Sequence, residues 1–247
     1  VGFPQSVPFS HHSENLAEIR RTLKQIERLH KAEVRRTGSA KTPHQAQPSV
    51  AAIRRVHLLI VGILAEAILK KVIADPTGFE DPERREIWSK SSQEEQWKAT
   101  VNLAFRRHFA IASDVILDEA SLGKAPNDQR ELLLGLISKQ LSPVITDRNK
   151  IAHANWVWQL KSKTNDQFIQ TPRNHAHYNY SKINSLRSLV QALGDLVHVL
   201  AVSEPTFQRD YDQQISLISK CTAEIDVSDV LYEKLCSFLA ASQNGSS

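Results

Sequence analysis

Apolar residues recur every three or four positions over most of this chain, the spacing of one face of an α-helix. Leu16, Ile19, Leu23, Ile26 and Leu29 set out an amphipathic helix from Ser13 to about Arg36. Their 3-4-3 steps also suit a short coiled-coil seam. "TGSAKTPHQAQPS" (37–49) breaks the period and reads as a linker. A second helix runs from about Val50 to Ala74 and stops before Asp75-Pro76. It is apolar on nearly every side, which predicts burial. "DPERREIW" (81–88) predicts a short helix with Pro82 in its first turn. Trp97, Val101, Phe105 and Phe109, spaced by four, predict a longer one over 92–112. Residues 127–141 predict another, capped by Asn127. Ser142 and Pro143 then restart the chain as cap and first-turn residue of a new helix.

Residues 156–170 show partial alternation around a polar turn and predict a short β-hairpin or extended arm. "SKINSLRSLVQALGDLVHVLAVSE" (181–204) returns to a strong helical period, and one or two amphipathic helices follow Pro205 to near Ala241. The fold class is therefore all-α. A core bundle spans 50–204, between a basic helix with its linker (1–49) and a helical extension (205–247).

Composition changes this picture in three places. Only 8 glycines are present, with no GxxxxGK[ST] and no GxGxxG, so nothing argues for a phosphate-cradling loop. Cys221 and Cys236 have no zinc-ligand spacing and read as buried thiols of a reducing compartment. The most apolar stretch, 57–74, carries His57, Glu66, Lys70 and Lys71. That is a core helix rather than a membrane span, and a cytoplasmic location is expected. The net charge of +4 is unevenly spread. Residues 1–55 hold ten Lys/Arg against four Asp/Glu, and residues 203–247 hold three against seven. The front of the chain is either a polyanion-binding face or an ordinary solvated one.

The chemistry gathers in "DRNKIAHANW" (147–156). Asn149 and His153 are four apart and share a helix face. Arg148 lies about 140° around from His153, within partial reach of its long side chain. Arginine can grip a phosphate bidentately at any working pH. Histidine can move the proton of a 2′-hydroxyl or a leaving oxygen, and asparagine can orient either. The set suits metal-free cleavage of RNA, and no cofactor is expected. One chain supplies one such histidine, so a twofold homodimer would complete the site. The competing reading makes Arg148 and Asp147 surface charges and His153 a packing histidine. Glu66 is costly inside an apolar helix unless paired, so it holds Arg148 or another cation, or else faces water.

Arg-Asn-x-x-x-His on a late helix of an α-bundle resembles the motif of the HEPN superfamily. The resemblance covers about 50–204. It implies a four- or five-helix bundle that dimerises to bring two motifs together. It also implies a metal-independent endoribonuclease of toxin–antitoxin or antiviral defence systems, with Arg148, Asn149 and His153 as catalytic residues. RNA, a second copy, and an antitoxin or defence-system protein would be the partners. HEPN toxins paired with nucleotidyltransferase antitoxins carry a tyrosine two residues past the histidine. Asn155 stands there in this chain, which puts that pairing in doubt. The alternative is a non-catalytic helical adaptor that binds RNA or a protein through its basic amino-terminal helix. A structural oligomer built on the Leu16–Leu29 seam is a third reading.

Further RNA contacts are expected from Lys150 beside the motif and from two other stretches. "FRRHF" (105–109) places Arg106 and Arg107 between core phenylalanines. "PRNHAHYNY" (172–180) places Arg173, His175, His177 and Tyr178 in a loop suited to base stacking. No metal partner accompanies those histidines. His57 and His198 lie on apolar helices and read as packing residues.

Overall fold

The computed structural model describes residues 9–37, 48–153, 156 and 175–244. Every regular element among them is helical. The longer ones are α1 (Phe9–Arg36), α2 (Pro48–Ala74), α3 (Asp81–Ser89), α4 (Gln93–His108) and α6 (Lys124–Leu136). They continue with α7 (Ser142–Ala152), α8 (Tyr180–Val202), α9 (Glu204–Asp226) and α10 (Ser228–Asn244). The short α5 (Glu119–Leu122) precedes α6. The expected hairpin at 156–170 lies outside the described residues except for Trp156.

The all-α expectation holds, and α2 is the reason the bundle closes. It buries Leu58, Val61, Leu64, Leu69 and Ile73 on different sides, and it packs against α1, α7 and α8 together. A helix apolar all round has to lie inside. α8 is long and apolar enough by composition to cross a membrane, but its most apolar window is 61% buried within this bundle. Only Ser203 separates α8 from α9, so the two double back on each other. One core collects Leu16 and Leu23 of α1, the apolar faces of α2, α4, α7 and α8, and Phe207, Ile218 and Ile225 of α9. It thus draws on all three segments set out from the sequence. A satellite cluster of Val34, Val50, Tyr232 and Leu239 fastens α10 to the α1–α2 end.

Two helix starts are capped by side chains that the sequence pattern had not singled out. Ser92 accepts the Glu95 N–H at 3.2 Å at the start of α4. Asn179 accepts the Lys182 N–H at 2.9 Å at the start of α8, and its amide donates to Asp229 of α10 at 2.8 Å.

Two boundaries differ. Asn127 is not a cap: the turn falls at Gly123, at φ 81°, where a residue without Cβ is favoured, and Asn127 lies inside α6. The chain also does not restart at Ser142. Ile137–Leu141 form one π-helical turn, and the Ser142 N–H reaches back five residues to the Ile137 carbonyl. Pro143, which has no N–H to give, follows directly in α7. The Ser142 hydroxyl, released from capping, bonds Glu94 of α4.

Candidate functional site

α7 buries Val144, Ile145 and Ile151, which fixes its rotation on the bundle. That rotation lays the stem of Arg148 across Gly62 of α2. A Cβ at position 62 would stand 2.3 Å from the Arg148 Cβ and 2.6 Å from its Cγ. The missing side chain is therefore what lets the two helices approach. One turn further along α2, the Glu66 carboxylate bonds the Arg148 guanidinium. The other Glu66 oxygen holds Lys70 at 2.6 Å. From its own helix, Arg148 Nη1 donates to the Asn149 side-chain oxygen at 2.7 Å. The guanidinium is thus gripped from two sides. Its side chain remains 24% exposed.

His153 ends α7, its N–H bonded to the Asn149 carbonyl at 3.0 Å. Its side chain is exposed. The competing reading of this stretch therefore fails on two residues: His153 does not pack inside, and Asp147 is buried rather than a surface charge. Arg148 and Asn149 are in contact. Among the described residues no hydrogen bond joins His153 to Arg148.

Three residues past His153, the Trp156 indole donates to the Ile151 carbonyl at 2.9 Å, satisfying one of the open acceptors of the helix end. Trp156 is 42% exposed as a residue, and the Arg55 guanidinium of α2 lies 5.6 Å from the centroid of its ring. Arg55, Gly62 and Glu66 fall at steps of seven and four, so they form one seam along α2 facing α7. The pairing of Glu66 with Arg148 is one of the alternatives that the sequence left open. Arg55, Lys70 and Trp156 were missed: the spacing puts Arg55 and Lys70 near the seam of Glu66, but it does not say what docks there.

The other expected RNA ligands do not join this group. Arg106 donates to the Ala112 carbonyl at 2.5 Å. Arg107 donates to the Gly78 carbonyl and lies 3.6 Å from Glu83. Both tie the end of α4 to neighbouring loops, and His108 does the same at the Leu200 carbonyl. Lys150 is partly buried, and burial lowers its pKa. Arg173 lies outside the described residues. The expected stacking loop is a 3-10 turn, His175–His177. His175 and Tyr178 are 3% and 5% exposed, so neither offers an open face; packing has claimed them. His177 is exposed and lies with its ring 4.2 Å from that of Tyr178.

A second polar centre is wholly internal. His30 of α1 and His57 of α2 meet Nδ1 to Nδ1 at 3.1 Å, both fully buried. Tyr180 completes the cluster, edge-on to His30 at 5.3 Å. Burial first, then the charge of Arg54, lowers His30 to about 4. Burial, then His30 and Arg187, lowers His57 to about 3. Two neutral rings sharing one proton between facing nitrogens fit this distance, and the pair pins α1 to α2. His198 is likewise structural, bonded to Asp75 at 2.7 Å. Burial would raise Asp75, but hydrogen bonds from Thr77 and His198 outweigh it and hold the carboxyl low.

Among the described residues no three His, Cys, Asp or Glu side chains gather as a metal site. Comparison with protein-family models, with curated proteins and with solved structures finds no match.

Proposed function

We propose that this protein is a metal-independent endoribonuclease working at the outer end of α7, completed by a second copy of the chain. The observation that carries the reading is the Arg148 guanidinium, held by Glu66 and Asn149 next to the exposed His153. The spacing of these residues resembles the HEPN motif. Arg55 over the half-exposed Trp156 adds a cation and an aromatic face beside them, a pairing suited to an unstacked base. In the reaction a base removes the 2′-hydroxyl proton and the 2′-oxygen attacks phosphorus. The bond to the 5′-oxygen then breaks, and that oxygen leaves with a proton from an imidazole. A 2′,3′-cyclic phosphate and a 5′-hydroxyl end result. One His153 takes the first proton and its twin from the second copy gives the other, while Arg148 neutralises charge on the phosphoryl oxygens. A toxin–antitoxin or antiviral defence setting is the one the resemblance implies.

The test is purified protein with total RNA in EDTA, wild type beside His153→Ala. Loss of one acid–base catalyst predicts a fall of at least ~10²-fold with helical content unchanged. Equal cleavage by the variant, or cleavage that needs a divalent metal, removes the assignment. A second reading, a non-catalytic RNA-binding adaptor, is favoured by one observation: Glu66 already neutralises Arg148. It predicts salt-sensitive RNA retention, no products and no effect of His153→Ala.

A further inference from the structure

The basic residues of α1 are arranged, not scattered. Arg20, Lys24, Arg28, Lys31 and Arg35 follow one another at steps of four, four, three and four, and all five are exposed. At 100° per residue they occupy an arc of about 80° and a length of about 22 Å. The other two arginines of the helix leave this stripe and are neutralised: Arg21 by Glu18 at 2.7 Å and Arg36 by Glu33 at 2.5 Å. Lys24, Arg28 and Lys31 make no hydrogen bond or ion pair among the described residues.

At its amino-terminal end the stripe opens into a cleft of about 330 Å³ between α1 and α8, lined by Arg20, Lys24, Glu27, Arg187 and Gln191 over a floor of Leu23 and Leu64. Arg20 donates to the neutral Gln191 at 3.1 Å. Glu27 is occupied by Arg187 at 2.7 Å. Three cations thus face the cleft against one acid, and that acid is already paired. Leu64 and Glu66 are two residues apart on α2, about 200° around the helix, so the cleft and the α7 site lie on opposite sides of α2.

We propose that the α1–α8 cleft and the α1 stripe form a second anion-binding site, which takes the phosphodiester backbone of a single nucleic-acid strand. One phosphate sits in the cleft between Arg20, Lys24 and Arg187, and the following phosphates lie along Lys24, Arg28, Lys31 and Arg35. Cations placed once per helical turn, about 5–6 Å apart, suit a repeating anion better than a single compact one. A lipid surface fits less well, because the one large apolar side chain that α1 exposes, Leu29, lies nine residues from Arg20 and so on the opposite side of the helix. The site stands whether or not RNA is cut at α7.

The experiment measures binding of a labelled single-stranded oligoribonucleotide of about 12 residues, within the range one binding groove covers, by fluorescence anisotropy across a salt series. His153→Ala protein is used so that the probe stays intact. Replacing Arg20, Lys24, Arg28, Lys31 and Arg35 by glutamine should weaken binding at least tenfold at low salt. It should also flatten the slope of log K against log salt by about 3.5, at roughly 0.7 per lost phosphate contact on a single strand. The double variant Arg20→Gln/Lys24→Gln, which keeps the Glu27–Arg187 pair, should flatten it by about 1.4 and decides the matter if the fivefold variant loses helix. A control variant, Lys139→Gln/Lys220→Gln, should change little. Unchanged affinity and slope in the double variant, or an equal loss in the control, overturns the proposal. So does uridine monophosphate binding as tightly as the strand, since the cleft would then serve a free nucleotide.

Discussion

Gly62 and Arg148 meet with no room for a methyl group between them: a Cβ on Gly62 would come within 2.3 Å of the Arg148 Cβ. Both contact atoms lie near the backbone of α7, so a flexible tip cannot swing clear. Gly62→Ala should push α7 outward at Arg148. The better helix propensity of alanine offsets about 1 kcal/mol of an overpacking cost of about 1–3 kcal/mol. Net stability should therefore fall by no more than about 2 kcal/mol, read by urea unfolding. On the proposed reading, RNA cleavage should fall by tenfold or more, because Arg148 moves while the fold survives. An alanine variant with full activity would show that the position of Arg148 is not critical.

Glu66 is the partner that fixes the Arg148 head, and it also binds Lys70 at 2.6 Å. Both members of the Glu66–Arg148 pair are about a quarter exposed, so the pair contributes modestly, about 1–2 kcal/mol. Glu66→Gln should lower stability by that amount. It also removes a negative charge beside the cations, so RNA should bind more tightly while kcat falls. A lower KM together with a lower kcat marks a positioning role; a merely structural role would leave both unchanged in the folded fraction.

The His30–His57 pair gives the fold an acid limit. Both rings titrate below the ordinary histidine value when folded, at about 4 and about 3. The unfolded chain therefore binds protons first as pH falls. The contribution of the pair is complete above about 6.5, and it is lost progressively as pH drops from there toward 4 and 3. Arg54, Arg187 and Tyr180 beside the pair keep their charge in that window. Glu27, paired with Arg187 and raised by burial, takes up its proton first in the folded chain and offsets part of the loss at the acid end. Urea midpoints measured from pH 7.5 to pH 4.5 should fall, and the loss should reach a few kcal/mol. In the double variant His30→Leu/His57→Leu the slope over this window should flatten.

The sequence disclosed the helices whose periods are long and pure. α2, α4 and α8 fall within a few residues of their expected ends, because their apolar faces have no alternative partner. It misplaced what depends on a single turn. Ser142-Pro143 looks like a fresh start, yet a π turn carries the helix through it, and nothing in the local residues distinguishes the two outcomes. At the site, Arg148 and Asn149 were legible from charge and spacing, and Glu66 with Arg148 as one of several partners it could take. Arg55 and Trp156 were not, because their contact depends on how α7 docks against α2. Tyr178 misled in the opposite direction: its neighbours are polar, but Lys182 sits over its ring at 5.4 Å and the fold covers the rest.

Trp156 offers the most direct test of RNA contact at α7, because its ring is held at both ends. The indole N–H is fixed on Ile151 and Arg55 lies over the ring, while 42% of the residue still faces solvent. A base stacking on it would contribute about 1–3 kcal/mol. Trp156→Ala should therefore weaken RNA binding about five- to 150-fold, the same energy expressed as a ratio. Trp156→Phe keeps an aromatic face but loses the bond to Ile151, so it should recover much of the affinity. Fluorescence separates this contact from the others: RNA should quench the emission of the wild type, and the quenched component should be missing from Trp156→Phe while the remaining three tryptophans stay unchanged. If Trp156→Ala binds as tightly as wild type, the aromatic face at the end of α7 is not an RNA contact, and Arg55 serves only to pack it down.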